Sequence, residues 1–437
     1  MIVILAFGLV LPPLPSLPGC AGHVRTAVDV FLYASLLVAL ACELGHSSIG
    51  GPGGSCALVL LVLAGLRDRT VFLAARGEHY WVALLVALSS LQAGEEAVMA
   101  AWMGLWGALW FFAGVSKLNR HFEAVTCVMM SNSPMMPLRS VRRAMYRDFP
   151  RDLRPSAFAR VLGHLGTLLE LGVPVVLLTA GGDPPQLALG LGLMCLLHGY
   201  IALNVPMGVP LEWNVIMVYG GMVLFWGHPG VAVVDATPQA LVLLSLLSVG
   251  VPVLGNLFPG RISFLPAMRY YAGNWAMSVW LFKGDCHAKL AALPTTAPWV
   301  EDQLGTAYDA RTIAGLLSKV MAFRLMHLHG RVLGMVLPDA ICDDLTERRW
   351  VDGELVAGFL LGWNFGDGHL HGAALLEVVR QRCGFEPGEL RVITVEAQPI
   401  HRAELRWCIH DAADGPIDTG VVRISQLCAR QPWELAH

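Results

Sequence analysis

Charge is scarce in this chain. Asp, Glu, Lys and Arg make up 14% of its 437 residues, against about 25% in an ordinary soluble domain, which excludes a mostly water-facing exterior. The formal net charge of −3 is too small to attract nucleic acid or an acidic substrate. Ten cysteines are present without one C-x-x-C pair or regular spacing, so neither a disulfide framework nor a structural zinc module is expected; they read as free thiols that pack. Internal repeats and low-complexity segments are also missing.

What fills the space is apolar: 55% of residues are hydrophobic and the mean hydropathy is +0.57. Stretches suited to crossing a bilayer run over 28–44, 55–66, 80–91, 97–116, 158–180, 186–203, 215–228 and 239–257. Several fall short of the roughly 17-residue minimum and suit re-entrant or buried segments as well. Residues 1–27 read as an N-terminal tail. Its apolar start, prolines and Cys20 imitate a lipoprotein signal but lack any preceding Lys or Arg.

The connection 117–160 holds nine Lys or Arg residues, whereas 46–54, 92–96, 181–185 and 229–238 hold none. Such a bias marks the first side as cytoplasmic. An even number of crossings then puts the C-terminal region on that side too, in an inner (plasma) membrane. Segment 259–284 mixes Trp275, Trp280 and Phe282 with Arg269 and Lys283, as an interfacial stretch would. From 285 to 437 the pattern turns soluble, with helical spacing over 311–333 and 372–383. Strand-like runs at 390–395, 405–409 and 421–424, the last preceded by the turn Asp414-Gly415, complete it. The expected fold is an α-helical polytopic membrane bundle of about eight spans over 28–258, followed by a small α+β domain in the cytoplasm.

An ionisable side chain in hydrocarbon costs about 2.5–3.5 kcal/mol on insertion scales, so each implies a partner or a function. Glu170 lies near the middle of the 158–180 span, about 18 Å from its cytoplasmic end. His164 and His198 lie at similar depths on two spans, and Lys117 ends a third. The Pro- and Gly-rich connection 204–214 adds Asn204, Glu212, Trp213 and Asn214. Lys117, His164, Glu170, His198 and Glu212 are therefore the candidate catalytic residues of a polar cavity, with Asn204, Trp213 and Asn214 as ligand-binding candidates. The plainer alternatives are a snorkelling lysine and histidines that join helices. In the soluble part, Asp367, His369 and His371 form a weak metal-site candidate, since H-x-H in an extended segment puts both imidazoles on one face.

The strings R-G-E-H-Y from Arg76, S-K-L-N-R-H-F from Ser116, M-M-S-N-S-P from Met129, P-M-G-V-P-L-E-W-N from Pro206, M-R-Y-Y-A-G-N-W from Met268, G-W-N-F-G-D-G-H-L-H from Gly362 and Q-P-I-H-R from Gln398 resemble a bacterial family of multi-pass membrane proteins with no recorded activity. That resemblance implies a longer N-terminal portion than the one present, so that Met1 is an internal start or an upstream piece is missing. Separately, Phe112 to Asn119 resembles the A-G-x-K-K-L-D segment of vitamin K-dependent gamma-carboxylase and its bacterial relatives. The likeness implies a quinol-deprotonating base at Lys117, with Ser116 and Asn119 replacing the family's first lysine and its aspartate. A lysine acts so only as the neutral amine, the form that desolvation favours.

The leading expectation is a membrane enzyme acting on a lipid-soluble substrate such as a quinone. A carrier or assembly factor for envelope lipid, and a scaffold without chemistry, are its rivals. Expected partners are membrane lipid, a hydrophobic small molecule and an unspecified protein for the C-terminal domain, with no nucleic acid.

Overall fold

The computed structural model describes residues 27–44, 52–67, 77–204, 209–269, 272–293, 295, 298–341, 347–361 and 371–432. They form two compact units, one built from Thr26–Leu254 with Leu265–Ala272, the other from Gly255–Phe264 with Gly273–His437.

The first unit is a helical bundle. Its helices are α1 (Ala27–Leu44), α2 (Pro52–Arg67), α3 (Gly77–Ser90), α4 (Glu95–Ser116), α5 (His121–Asn132), α6 (Arg139–Ala144), α7 (Ala157–Leu178), α8 (Pro184–Asn204), α9 (Val209–Gly221) and α10 (Pro238–Leu257). Four of them, α4, α7, α8 and α10, are long and apolar enough to cross a membrane. Glu95 and Glu96 in the first turn of α4 suit the positive end of its dipole. Helix α4 is 61% buried against 33–39% for the other three, which makes it the central helix. Ser156 caps α7 through its Oγ, which accepts from the Ala159 N–H, and Thr237 caps α10 in the same way through Ala240.

The expected eight spans are not all of this length. Val30–Glu43, Gly53–Leu66, Tyr80–Ala93 and Trp213–Trp226 are shorter apolar helices. Among the described residues the count is therefore four, or five if a pair in the second unit that is bent by 105° is one broken span. The connection 117–160 is also more than a loop. It contains α5, whose residues 124–130 are all buried, then α6 and the hairpin of β1 (Tyr146–Asp148) with β2 (Asp152–Pro155).

The second unit carries an antiparallel sheet of β3 (Met277–Lys283), β4 (Arg348–Asp352), β5 (Leu390–Val395), β6 (Glu404–Asp411) and β7 (Gly415–Arg423), ordered β4-β3-β5-β6-β7. Residues 277–283, expected as part of an interfacial stretch, form the strand β3. Met277 to Phe282 are all buried, Trp280 and Phe282 completely, because β3 sits inside the sheet and is covered on both faces. The helices of this unit are α11 (Val300–Gly305), α12 (Ala310–Met326), α13 (Leu328–Ala340), α14 (Gly353–Leu361), α15 (Ala373–Cys383) and α16 (Ile424–Ala429). The helix expected over 311–333 is broken at His327, where α12 turns into α13. The β6–β7 hairpin closes through Ala412 to Asp414, with Gly415 at φ 87°, a conformation that suits glycine.

Candidate functional site

The site grows from the register of two helices. A side chain at Gly107 would strike Leu178, and one at Gly114 would come within 2.8 Å of Leu171 and 3.2 Å of the Glu170 Cβ. The contact moves seven residues along each helix in opposite senses, so α4 and α7 run antiparallel and close together. Glycine at 114 permits that approach. Helix α4 then ends level with residues 167–170, ten or more residues into α7, and α5 packs against the outer part of α7.

Lys117 is thus inside the bundle. It caps α4, its ammonium meets Glu170 Oε1, and the two side chains are 8% and 6% exposed. The Lys117 Nζ also lies 5.3 Å from the centre of the Phe122 ring. The corner after it is tightly made: the Asn119 Oδ1 accepts from the N–H groups of His121 and Phe122 and so starts α5, while the Ser116 Oγ donates to the Ala113 carbonyl.

Glu170 has capacity left over. Its Oε2 is buried and has no hydrogen-bond partner among the described residues, an arrangement that is costly in a medium of low dielectric. One turn earlier, buried Gly166 is less crowded than Gly114: an added Cβ would meet Tyr200 Cε1 in ordinary van der Waals contact at 3.8 Å. The buried positions Ala159, Gly163, Gly166, Glu170, Val173 and Leu177 form one stripe of α7, so the carboxylate and Gly166 face the same interior.

His198 is buried but belongs to another cluster. The Trp110 indole donates to its Nε2 at 2.9 Å, and its Nδ1 lies 2.7 Å from Asn214 Oδ1. An indole N–H only donates, so Nε2 carries no proton and Nδ1–H donates to Asn214. This orients the imidazole and joins α4, α8 and α9. Helical spacing could have shown Trp110, since 110, 114 and 117 share one face of α4.

His164 is exposed on the outer surface of α7. At about 100° per residue it points roughly 120° away from Glu170, so equal depth did not bring it into the cavity. The expected cavity containing both histidines does not form. The side chains of Asn204 and Glu212 lie outside the described residues, as do Asp367 and His369. Trp213 is half-buried. His371 is buried in the second unit, with Nδ1 2.9 Å from Ser278 Oγ. Among the described residues, no group of three or more His, Cys, Asp or Glu side chains could hold a metal.

Apolar spans around a buried ion pair define a polytopic membrane protein. The chain belongs to the family described as transmembrane protein of unknown function (DUF3556), whose model matches residues 6–437. No curated protein and no solved structure matches it.

Proposed function

We propose that this protein is a membrane enzyme that moves a proton on a lipid-soluble substrate, such as a quinol, at the Lys117–Glu170 pair. One observation carries the reading: Glu170 Oε2 is buried beside the ion pair with no partner of its own. A donor group on a bound molecule would complete it, and the uncrowded position at Gly166, one turn away beside Tyr200, is the place proposed for that molecule. In this scheme the pair takes the proton of a substrate hydroxyl, with Lys117 as the base and Glu170 as its partner. The resulting ammonium then offsets the substrate oxyanion. The likeness of Phe112–Asn119 to the gamma-carboxylase segment supports the same role for Lys117. His198 positions α8 and α9 in this scheme, and His164 takes no part.

The reading includes a bacterial inner-membrane location with the 117–160 side and the C-terminal unit in the cytoplasm. Its support is the nine basic residues of that connection against none in the four opposite ones.

The test is mass spectrometry of lipid extracted from the purified protein and from Lys117→Ala, Glu170→Gln and Gly166→Leu variants. A quinol or other hydroxyl-bearing lipid enriched with the wild type and lost from the Gly166→Leu protein is the expected result. Equal recovery from all four proteins, or none from the wild type, would overturn the reading.

A further inference from the structure

The ordered cap between α5 and α7 presents a surface that the ion-pair site does not use. Its arginines divide into two kinds. Arg142 is spent internally, donating to the carbonyls of Ser133 and Met136 at 2.7 Å each, and Arg154 is paired with Asp152. Arg139, Arg143 and Arg147 are exposed, Arg147 with one long bond from Nε to the Pro155 carbonyl at 3.4 Å. Around them stand Met135, Leu138 and Phe149, which are 59%, 58% and 46% exposed, with the Arg143 guanidinium 5.9 Å from the Phe149 ring centre. The cap's two carboxylates do not balance this charge: Asp152 is committed to Arg154, and Asp148 stands alone on the exposed side of β1.

This surface is continuous with two membrane spans. Ser156, directly after the hairpin, caps α7, and the Ser133 Oγ bonds the Leu203 carbonyl near the end of α8. Exposed Phe158 and Val161 follow in the first turns of α7. Arginines beside exposed apolar side chains, held at the ends of spans, match the headgroup layer of a bilayer rather than bulk water.

We infer that the cap, residues 133–156, is a binding surface for anionic phospholipid. Arg139, Arg143 and Arg147 hold the headgroup phosphate, and Met135, Leu138 and Phe149 enter the acyl boundary. The inference is independent of any chemistry at Lys117.

Native mass spectrometry of the full chain in detergent, titrated with phosphatidylglycerol against phosphatidylcholine, tests it. The wild type should retain phosphatidylglycerol preferentially, and the preference should fall about five-fold for each arginine replaced by Gln at 139, 143 and 147. Raising salt from about 0.1 M to about 1 M should weaken it in the unmodified protein, so the test survives a variant that fails to fold. Arg380→Gln, an equal charge loss in the second unit, should leave it unchanged. Equal retention of the two lipids, full retention by the triple variant, or displacement of the lipid by millimolar inorganic phosphate would each overturn the inference.

Discussion

Two buried ion pairs, Arg324 with its carboxylates in the C-terminal unit and Lys117 with Glu170 in the bundle, are satisfied to different degrees. In the C-terminal unit Arg324 meets both Asp352 and Glu354, while Asp352 Oδ1 accepts a further bond from the Glu354 N–H. Arg331 donates through Nη1 to the carbonyls of Leu427 and Arg430. These arginines join α12 to β4 and α13 to the end of α16. In the bundle, Lys117 and Glu170 meet through one oxygen and leave the other unused. A buried charge that is fully satisfied holds a fold together, whereas one with spare capacity, in a place where water is excluded, is available to a ligand.

This comparison is open to direct attack, and the largest effect should come from Arg324→Met. It leaves two carboxylates buried without their cation and should cost about 3–5 kcal/mol, measured as a fall in the thermal midpoint of the C-terminal unit. Lys117→Met should destabilise the bundle in the same manner, but Lys117→Met with Glu170→Leu should restore most of the loss. If the bundle pair were as firmly integrated as Arg324, the double variant would remain as unstable as the single one. A smaller effect is expected for His198→Phe, which strips Trp110 and Asn214 of their partner and should cost about 1–2 kcal/mol. The same change should leave the lipid bound near Gly166 in place, as extraction and mass spectrometry would show.

The smallest effect concerns pH and belongs to the C-terminal unit alone. Burial pushes the His410 imidazole below the usual histidine range, with its Nε2 3.1 Å from Thr394 Oγ1. As pH falls through about 6.5 the unfolded chain takes up a proton before the folded one does. The contribution of neutral His410 is therefore complete above that pH and is lost below it. Thermal unfolding followed between about pH 8 and pH 5 should show this slope, and His410→Gln should flatten it.

Much of this is legible in the sequence, and the illegible parts have physical causes. Depth along a span follows from counting residues, which is why Glu170 and Lys117 stand out. Azimuth must be counted as well, and His164 shares a depth with His198 while pointing the other way. The register of α4 against α7 depends on which glycines meet which leucines, so Lys117 reads from sequence as a lysine at a membrane surface and is found well inside. Helix α5 is hidden because its apolar run, Val125 to Met130, is short and stands among arginines and asparagines. Strand β3 reads as interfacial because a central strand covered on both faces lacks the alternation that marks a half-exposed one. Strand β6 stands where 405–409 suggests, whereas β7 runs over Gly415–Arg423 and only its last three residues fall in the expected 421–424.

The short corner after α4 also acts as an angular gauge. Asn119 fixes where α5 begins, and Gly114 fixes how near α7 lies, so the direction of Lys117 depends on the number of residues in the last turn of α4. One extra residue there would swing the ammonium about 100° around the axis, toward a different neighbour, while the cap at Asn119 stayed intact. Spacing in this turn is therefore constrained more tightly than composition, and a change of length would disable the pair where a change of side chain at Ser116 or Leu118 would not.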